Sequence, residues 1–239
     1  MMFYVHCTEN LGDFLLFLPV LSGISKKYGK QTLVMKSGMR KFKDLVPLLE
    51  YQSFIDKACF IDDPEIAGKT GFYVSSWIDE QNHNGIRPIE TTRYETWLKR
   101  NTSLEFEVDD EFVLSVPDLG YDFSSIQFCG DRVPTPGYDS RRKVGQLAHL
   151  PGLSFLDYND GLLVNAYKIK NGKGPFISTF TGISVLADLL NVDQLVLWGE
   201  DLRDWDNKPI EYALEKSYYR DRKSRLMYLG TYEEEMVAK

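Results

Sequence analysis

The stretch Gly174–Trp198, GPFISTFTGISVLADLLNVDQLVLW, constrains the fold more than any other part of this chain. The run Pro175–Ser178 reads as a strand that leads into Thr179-Phe180-Thr181-Gly182. Ile183–Leu190 follows with helical periodicity, and Gln194–Trp198 returns as a second buried strand. Such a βαβ unit places a helix N-terminus, with its unpaired N–H groups and positive dipole end, beside the carboxyl ends of parallel strands. A diphosphate fits that position, so the stretch points to nucleotide or nucleotide-sugar binding.

Strand-like and helical segments alternate along the remainder. Residues 2–7, MFYVHC, lack alternation and suit a central parallel strand buried on both faces. After the loop Thr8–Gly12, the apolar residues Phe14, Leu15, Phe17, Leu18, Leu21 and Ile24 keep helical spacing, and Pro19 predicts a kink or a first-turn boundary among them. Gln31–Met35, Phe54–Ile61 and Gly71–Trp77 read as strands, with helices over Arg40–Leu49 and Glu90–Arg100. Asp79–Pro88 is polar and turn-prone and is expected to form an exposed recognition loop. Pro117 and Gly120 within Val113–Asp122 mark the expected boundary between units 1–120 and 121–239. In the second unit Ser125–Cys129 and Ser154–Leu156 read as strands, Lys143–His149 and Gly161–Lys170 as helices, and Ile210–Leu229 as a long charged helix. Two successive alternations predict an α/β protein of two facing Rossmann-like domains, with a single doubly wound sheet as the competing topology.

Composition narrows the classes. With 239 residues, 43% of them hydrophobic, the chain can fill real cores, and no apolar run approaches the roughly 18–20 residues that span a bilayer. The N-terminus lacks the basic-then-apolar order of a signal peptide, so the expected location is cytoplasmic. Cys7, Cys59 and Cys129 lie in or beside apolar runs and read as buried free thiols rather than disulfide or zinc ligands. A net charge of −7 argues against a generic nucleic-acid binder.

Two glycine turns carry a family resemblance. The segment from Gly12-Asp13 through the apolar helix to Pro19-Val20-Leu21 resembles the first βα turn of the heptosyltransferase-like glycosyltransferases, family nine. Thr181-Gly182-Ile183-Ser184-Val185-Leu186-Ala187 resembles that family's donor loop, Asp-Thr-Gly-Leu-Ser-His-Leu-Ala, in the order expected of one motif per half. The resemblance implies a GT-B fold, with an N-terminal acceptor-binding domain and a C-terminal nucleotide-sugar domain, and a metal-independent inverting transfer in the cleft. It implies that Asp13 is the catalytic base, beside Glu9, Asn10 and Gly12 on the acceptor side. Thr179, Phe180, Thr181, Gly182 and Ile183 would hold the donor, with Arg132, Arg141, Arg142 and Lys143 as candidate phosphate contacts. No cofactor is implied, because the nucleotide sugar is a co-substrate, and no protein partner is predicted. Phe180 and Val185 stand where the family has Asp and His, which implies a donor other than ADP-heptose.

Plainer readings stand beside these. Asp13 also suits a first-turn acid that compensates the helix dipole, and Gly182 an ordinary βα turn. Asp62-Asp63 and Asp109-Asp110 are adjacent rather than spaced pairs and read as solvated acids, not as metal ligands. The acceptor stays open between a saccharide and a hydroxylated base in DNA, a reading prompted by the basic, tyrosine-rich tail. A non-catalytic nucleotide- or sugar-binding module of the same fold is the alternative to an enzyme.

Overall fold

The computed structural model describes residues 1–6, 9–75, 89–130, 152–179, 181–198 and 224–228. They form an α/β protein with two parallel sheets, so the single-sheet topology is excluded. The first sheet comprises β1 (Met2–Val5), β2 (Gln31–Met35), β3 (Ile55–Phe60) and β4 (Phe72–Val74), in the order β3-β2-β1-β4. The second comprises β5 (Gln127–Cys129), β6 (Leu153–Phe155), β7 (Phe176–Thr179), β8 (Gln194–Trp198) and β9 (Ser224–Tyr228), in the order β6-β5-β7-β8-β9. The helices are α1 (Leu11–Leu15), α2 (Leu18–Tyr28), α3 (Leu45–Glu50), α4 (Ile89–Asn101), α5 (Leu162–Asn171) and α6 (Gly182–Leu189). None of them is long and apolar enough to cross a membrane.

Strand β1 shows why the first sheet lacks a simple alternation. Phe3 and Val5 join the main core, whereas Tyr4, on the opposite face, packs with Val34, Cys59 and Ile66. Both faces are therefore apolar, as in sheets covered on each side. The main core is continuous through the molecule: it takes Phe3, Leu33 and Val74 from the first sheet, Phe128 and Phe176 from the second, and residues of all six helices.

One sequence expectation holds and two change. Pro19 divides the first helical run as a first-turn boundary: it lies at the start of α2, where its missing N–H leaves no gap in the ladder. At the junction Phe17 N–H bonds to Phe14 O at 3.1 Å, a tightened turn, and Leu21 N–H resumes the α pattern on Phe17 O at 3.0 Å. The helix expected over Arg40–Leu49 is a 3-10 turn, Ser37–Lys41, followed by α3, because Asp44 takes a left-handed conformation at φ 62° between them. The helix expected over Ile210–Leu229 is wrong for Ser224–Tyr228, which runs parallel to β8 with Ser224 opposite Gln194 and Tyr228 opposite Trp198. Strand β8 would otherwise present a row of open N–H and C=O groups, and pairing with a further strand satisfies them whatever the helical charge pattern of the segment. The loop Asp79–Pro88 and the helix Lys143–His149 fall outside the described residues.

Residues 102–126 contain neither helix nor strand, yet they are tied to the core. Phe106, Val108, Phe112 and Leu114 are buried in the main core. Asp109 N–H donates to Pro19 O at 3.1 Å, and Leu114 N–H donates to Leu189 O at 2.8 Å, so the segment ties α2 to the end of α6. Gln52 clasps it from α3's side: its Nε2 donates to Ser115 O at 2.9 Å and its Oε1 accepts from Ser115 N–H at 3.0 Å. The strap lies so close to α2 that a Cβ on Gly23 would come within 1.8 Å of Glu107 O. Asp109 is not a solvated acid: its side chain is 13% exposed, paired with Lys26 at 2.8 Å and hydrogen-bonded by Ser22 Oγ at 2.6 Å. Burial by itself would raise its carboxyl, but those two partners hold it below its ordinary value.

Candidate functional site

The two glycine turns meet. Gly12, in the first turn of α1, has Gly182 Cα only 3.4 Å from where a Cβ would stand, and Val185 Cγ2 at 3.3 Å. Gly182, the first residue of α6, would carry its Cβ 2.8 Å from Leu11 Cβ and 2.9 Å from Gly12 N. Real Cβ atoms do not come so close, so glycine is required where the two chain segments cross. The contact brings together the starts of α1 and α6, which follow β1 and β7 respectively. Both helices therefore begin at the carboxyl ends of their sheets, where α/β proteins bind ligands.

Asp13 follows the contact directly. It is half-buried in the first turn of α1, and Asn10 Nδ2 lies 3.4 Å from its Oδ2. Asn10 is the N-cap residue, extended at φ −91° and ψ 130°. Both readings of Asp13 survive, since a first-turn acid compensates the dipole of α1 and a half-buried carboxylate at a sheet's carboxyl end can take a proton. Glu9 and Asn10 are exposed in the same loop. The Glu9 carboxylate rests on Gly38, at the 3-10 turn after β2, where a Cβ would come within 1.9 Å of Oε2.

On the other side, Thr181 is the extended N-cap of α6, and a capping box pairs it reciprocally with Ser184. Thr181 N–H donates to Ser184 Oγ at 3.2 Å, and Ser184 Oγ donates to Thr181 O at 2.7 Å. The side chains of Thr179 and Ile183 are buried, the latter in the main core beside Gly130. Through Ile183 a ligand would therefore meet backbone rather than side chain. Val185 is buried as well, against Gly12. Phe180, Arg132, Arg141, Arg142 and Lys143 lie outside the described residues.

Among the described residues one group has metal-ligand spacing, Cys59, Asp63 and Glu65, whose ligating atoms lie within 4.8 Å of one another. Its members already have partners. Asp63 accepts from Phe60 N–H at 2.7 Å and from Arg40 at 2.6 Å, which together hold its carboxyl below the ordinary value. Glu65 is paired with Lys57, and burial pushes the Cys59 thiol up, away from the thiolate that would bind a metal. Asp62 is paired with Arg40 at 3.0 Å, so the adjacent acids hold an arginine that stacks on the Phe60 ring at 4.1 Å. Cys59 and Cys129 are buried and in no disulfide, and Cys7 is outside the described residues.

Sequence reading missed the support from α4. Thr91, Tyr94 and Leu98 form its buried stripe at helical spacing. Thr91 Oγ1 donates to Leu16 O at 2.9 Å and Tyr94 OH to Asp13 O at 3.1 Å. The i, i+3, i+7 spacing in the sequence marks that face as buried, but not its target.

No family model matches the chain, and no curated protein matches it by sequence. Solved structures do. A glycosyl transferase of family 9 from Veillonella parvula DSM 2008 matches with a TM-score of 0.59 at 11% identity, over 99% of this chain and 88% of that one. E. coli heptosyltransferase WaaC with ADP matches with a TM-score of 0.56 at 10% identity, over 99% of each chain. The iron-containing dodecameric glycosyltransferase TibC, from enterotoxigenic E. coli H10407, gives a TM-score of 0.57 at 12% identity, over 94% of this chain and 61% of that one. At such identities the likeness establishes a shared fold.

Proposed function

We propose that this chain is a cytoplasmic, metal-independent, inverting GT-B glycosyltransferase, with its acceptor half in residues 1–120 and its nucleotide-sugar half in 121–239. The observation that carries this reading is the contact of Gly12 with Gly182, which sets the Asp13 turn against the N-terminus of α6. The fold shared with family-nine glycosyltransferases supports it, and a buried cysteine outside any disulfide, Cys59, suits a reducing compartment.

In this mechanism the diphosphate of the donor lies at the start of α6, where the N–H groups of Gly182 and Ile183 and the helix dipole stabilise it. Asp13 accepts the proton of the acceptor hydroxyl. The acceptor oxygen forms a bond to the anomeric carbon as the bond from that carbon to the diphosphate oxygen breaks on the opposite face, and the nucleoside diphosphate leaves with the electron pair. Configuration inverts, and no covalent enzyme intermediate is formed. Because Val185 is apolar and packed on Gly12, it offers the donor no polar group, which supports a donor other than ADP-heptose.

The test measures nucleoside diphosphate released from ADP-glucose, UDP-glucose and ADP-heptose. Wild type is expected to consume one of the first two faster than ADP-heptose, unchanged by EDTA. Asp13→Asn is expected to lower kcat by about 10²–10⁴-fold, the usual worth of a general base. A wild-type rate in Asp13→Asn removes Asp13 as the base. If wild type consumes no donor while ADP or UDP raises its melting temperature, the chain is a non-catalytic binding module instead. The acceptor is a saccharide; salt-sensitive retention of duplex DNA at low ionic strength would favour a hydroxylated base instead.

A further inference from the structure

We infer that Tyr94 is a positioning residue for Asp13, an inference that rests on the proposed role of Asp13 as base. Tyr94 is wholly buried, tilted against Phe17 at a centroid distance of 5.1 Å, and its hydroxyl donates to the backbone carbonyl of Asp13 at 3.1 Å. Buried phenol hydroxyls find a partner, but nothing in packing alone requires that partner to be this carbonyl.

The chain is irregular at this point. Helix α1 has only five residues, the chain tightens after it as Phe17 N–H bonds to Phe14 O, and a new helix starts at Leu18-Pro19. A short helix next to a break is a poor platform for a carboxylate, since terminal turns fray and few backbone bonds restrain them. Tyr94 makes up for this from outside. Its ring is locked in the core, so the hydroxyl is a fixed donor, and it bonds to the residue that carries the carboxylate rather than to a neighbour. On the opposite side Gly12 is pressed against Gly182 at the start of α6. Residue 13 is thereby held between the core and the donor-side turn. Such restraint matters for catalysis, because displacing a reacting group by about 1 Å can cost 10²-fold in rate.

Helix α4 supplies its own control. Thr91 makes the same kind of bond, at 2.9 Å, to Leu16 O, one turn beyond the base and within the tightened turn. The proteins to compare are wild type, Tyr94→Phe, Thr91→Val and Asp13→Asn, assayed by nucleoside diphosphate release from ADP-glucose and UDP-glucose. Both conservative variants remove one hydroxyl and keep the shape of the side chain, so both are expected to fold and to melt a few degrees below wild type. Only Tyr94→Phe is expected to lower kcat, by about tenfold, with KM for the donor within about twofold of wild type. Equal losses of kcat in Tyr94→Phe and Thr91→Val would show that the hydroxyls merely staple helices together and overturn the inference. So would a wild-type kcat in Tyr94→Phe beside an inactive Asp13→Asn, which leaves the role of Asp13 intact. A fully active Asp13→Asn, or a wild type that consumes no donor, overturns this inference together with the reading beneath it.

Discussion

Gly182 and Gly12 show how the same residue type meets different demands a few ångströms apart. A Cβ at Gly182 would strike the backbone nitrogen of Gly12 at 2.9 Å and Leu11 Cβ at 2.8 Å, neither of which is the end of a flexible side chain. A Cβ at Gly12 meets Val185 Cγ2 at 3.3 Å, which can yield. Gly182→Ala is therefore expected to destabilise by about 1–3 kcal/mol, the usual cost of overpacking, and Gly12→Ala by clearly less. Urea unfolding of the two variants checks the ranking. Val185→Ala in the background of Gly12→Ala is expected to recover part of the loss, whereas it does nothing for Gly182→Ala; a larger loss in Gly12→Ala than in Gly182→Ala would contradict the crossing described here.

At the scale of elements the strap over residues 102–126 has the most to say. It lacks regular structure, but four buried apolar side chains and its bonds to Pro19, Leu189 and Gln52 anchor it to the core. Leu114→Ala is expected to cost about 2–5 kcal/mol, as for any leucine removed from a packed core. Its ion pair to α2 sets a pH dependence. The Asp109 carboxyl, like that of Asp63 after β3, is held below its ordinary value in the folded chain. The unfolded chain thus binds protons first as the pH falls, so the stability these groups contribute is present above about pH 4 and is lost as the pH drops through their lower folded values. Asp109→Asn is expected to be less stable than wild type at neutral pH, with a smaller further loss on acidification from about pH 5 to about pH 3. A parallel loss in the two proteins would mean that Asp109 is not among the groups responsible. Phe106, Val108, Phe112 and Leu114 stand at even spacings in the sequence. That they belong to a strap rather than a strand is not legible there, because pairing depends on whether a sheet edge is within reach.

Across the whole molecule the continuous core argues for unfolding as one unit. Apolar side chains from both sheets share it, the strap bonds to Pro19 in α2 and to Leu189 in α6, and Leu162 N–H at the start of α5 donates to Lys43 O at 2.7 Å from the first half. Calorimetry is expected to give one transition with equal van't Hoff and calorimetric enthalpies. Two resolved transitions would show that the halves are thermodynamically separate despite these contacts.

The sequence alone determined the α/β class, the order of most elements and the two glycine turns, because hydrophobic periodicity and turn chemistry are local properties written along the chain. It also placed Gln194–Trp198 as a strand and Pro19 as a helix boundary for the right reasons. Only the tertiary structure decided that Gly12 and Gly182 touch, that Tyr94 bonds to the carbonyl of Asp13, that Val185 packs on Gly12, and that Ser224–Tyr228 joins β8 as a strand. Each of these is a contact between residues distant in the chain, and its free energy depends on which partner the rest of the fold brings within reach, which no window of local sequence contains.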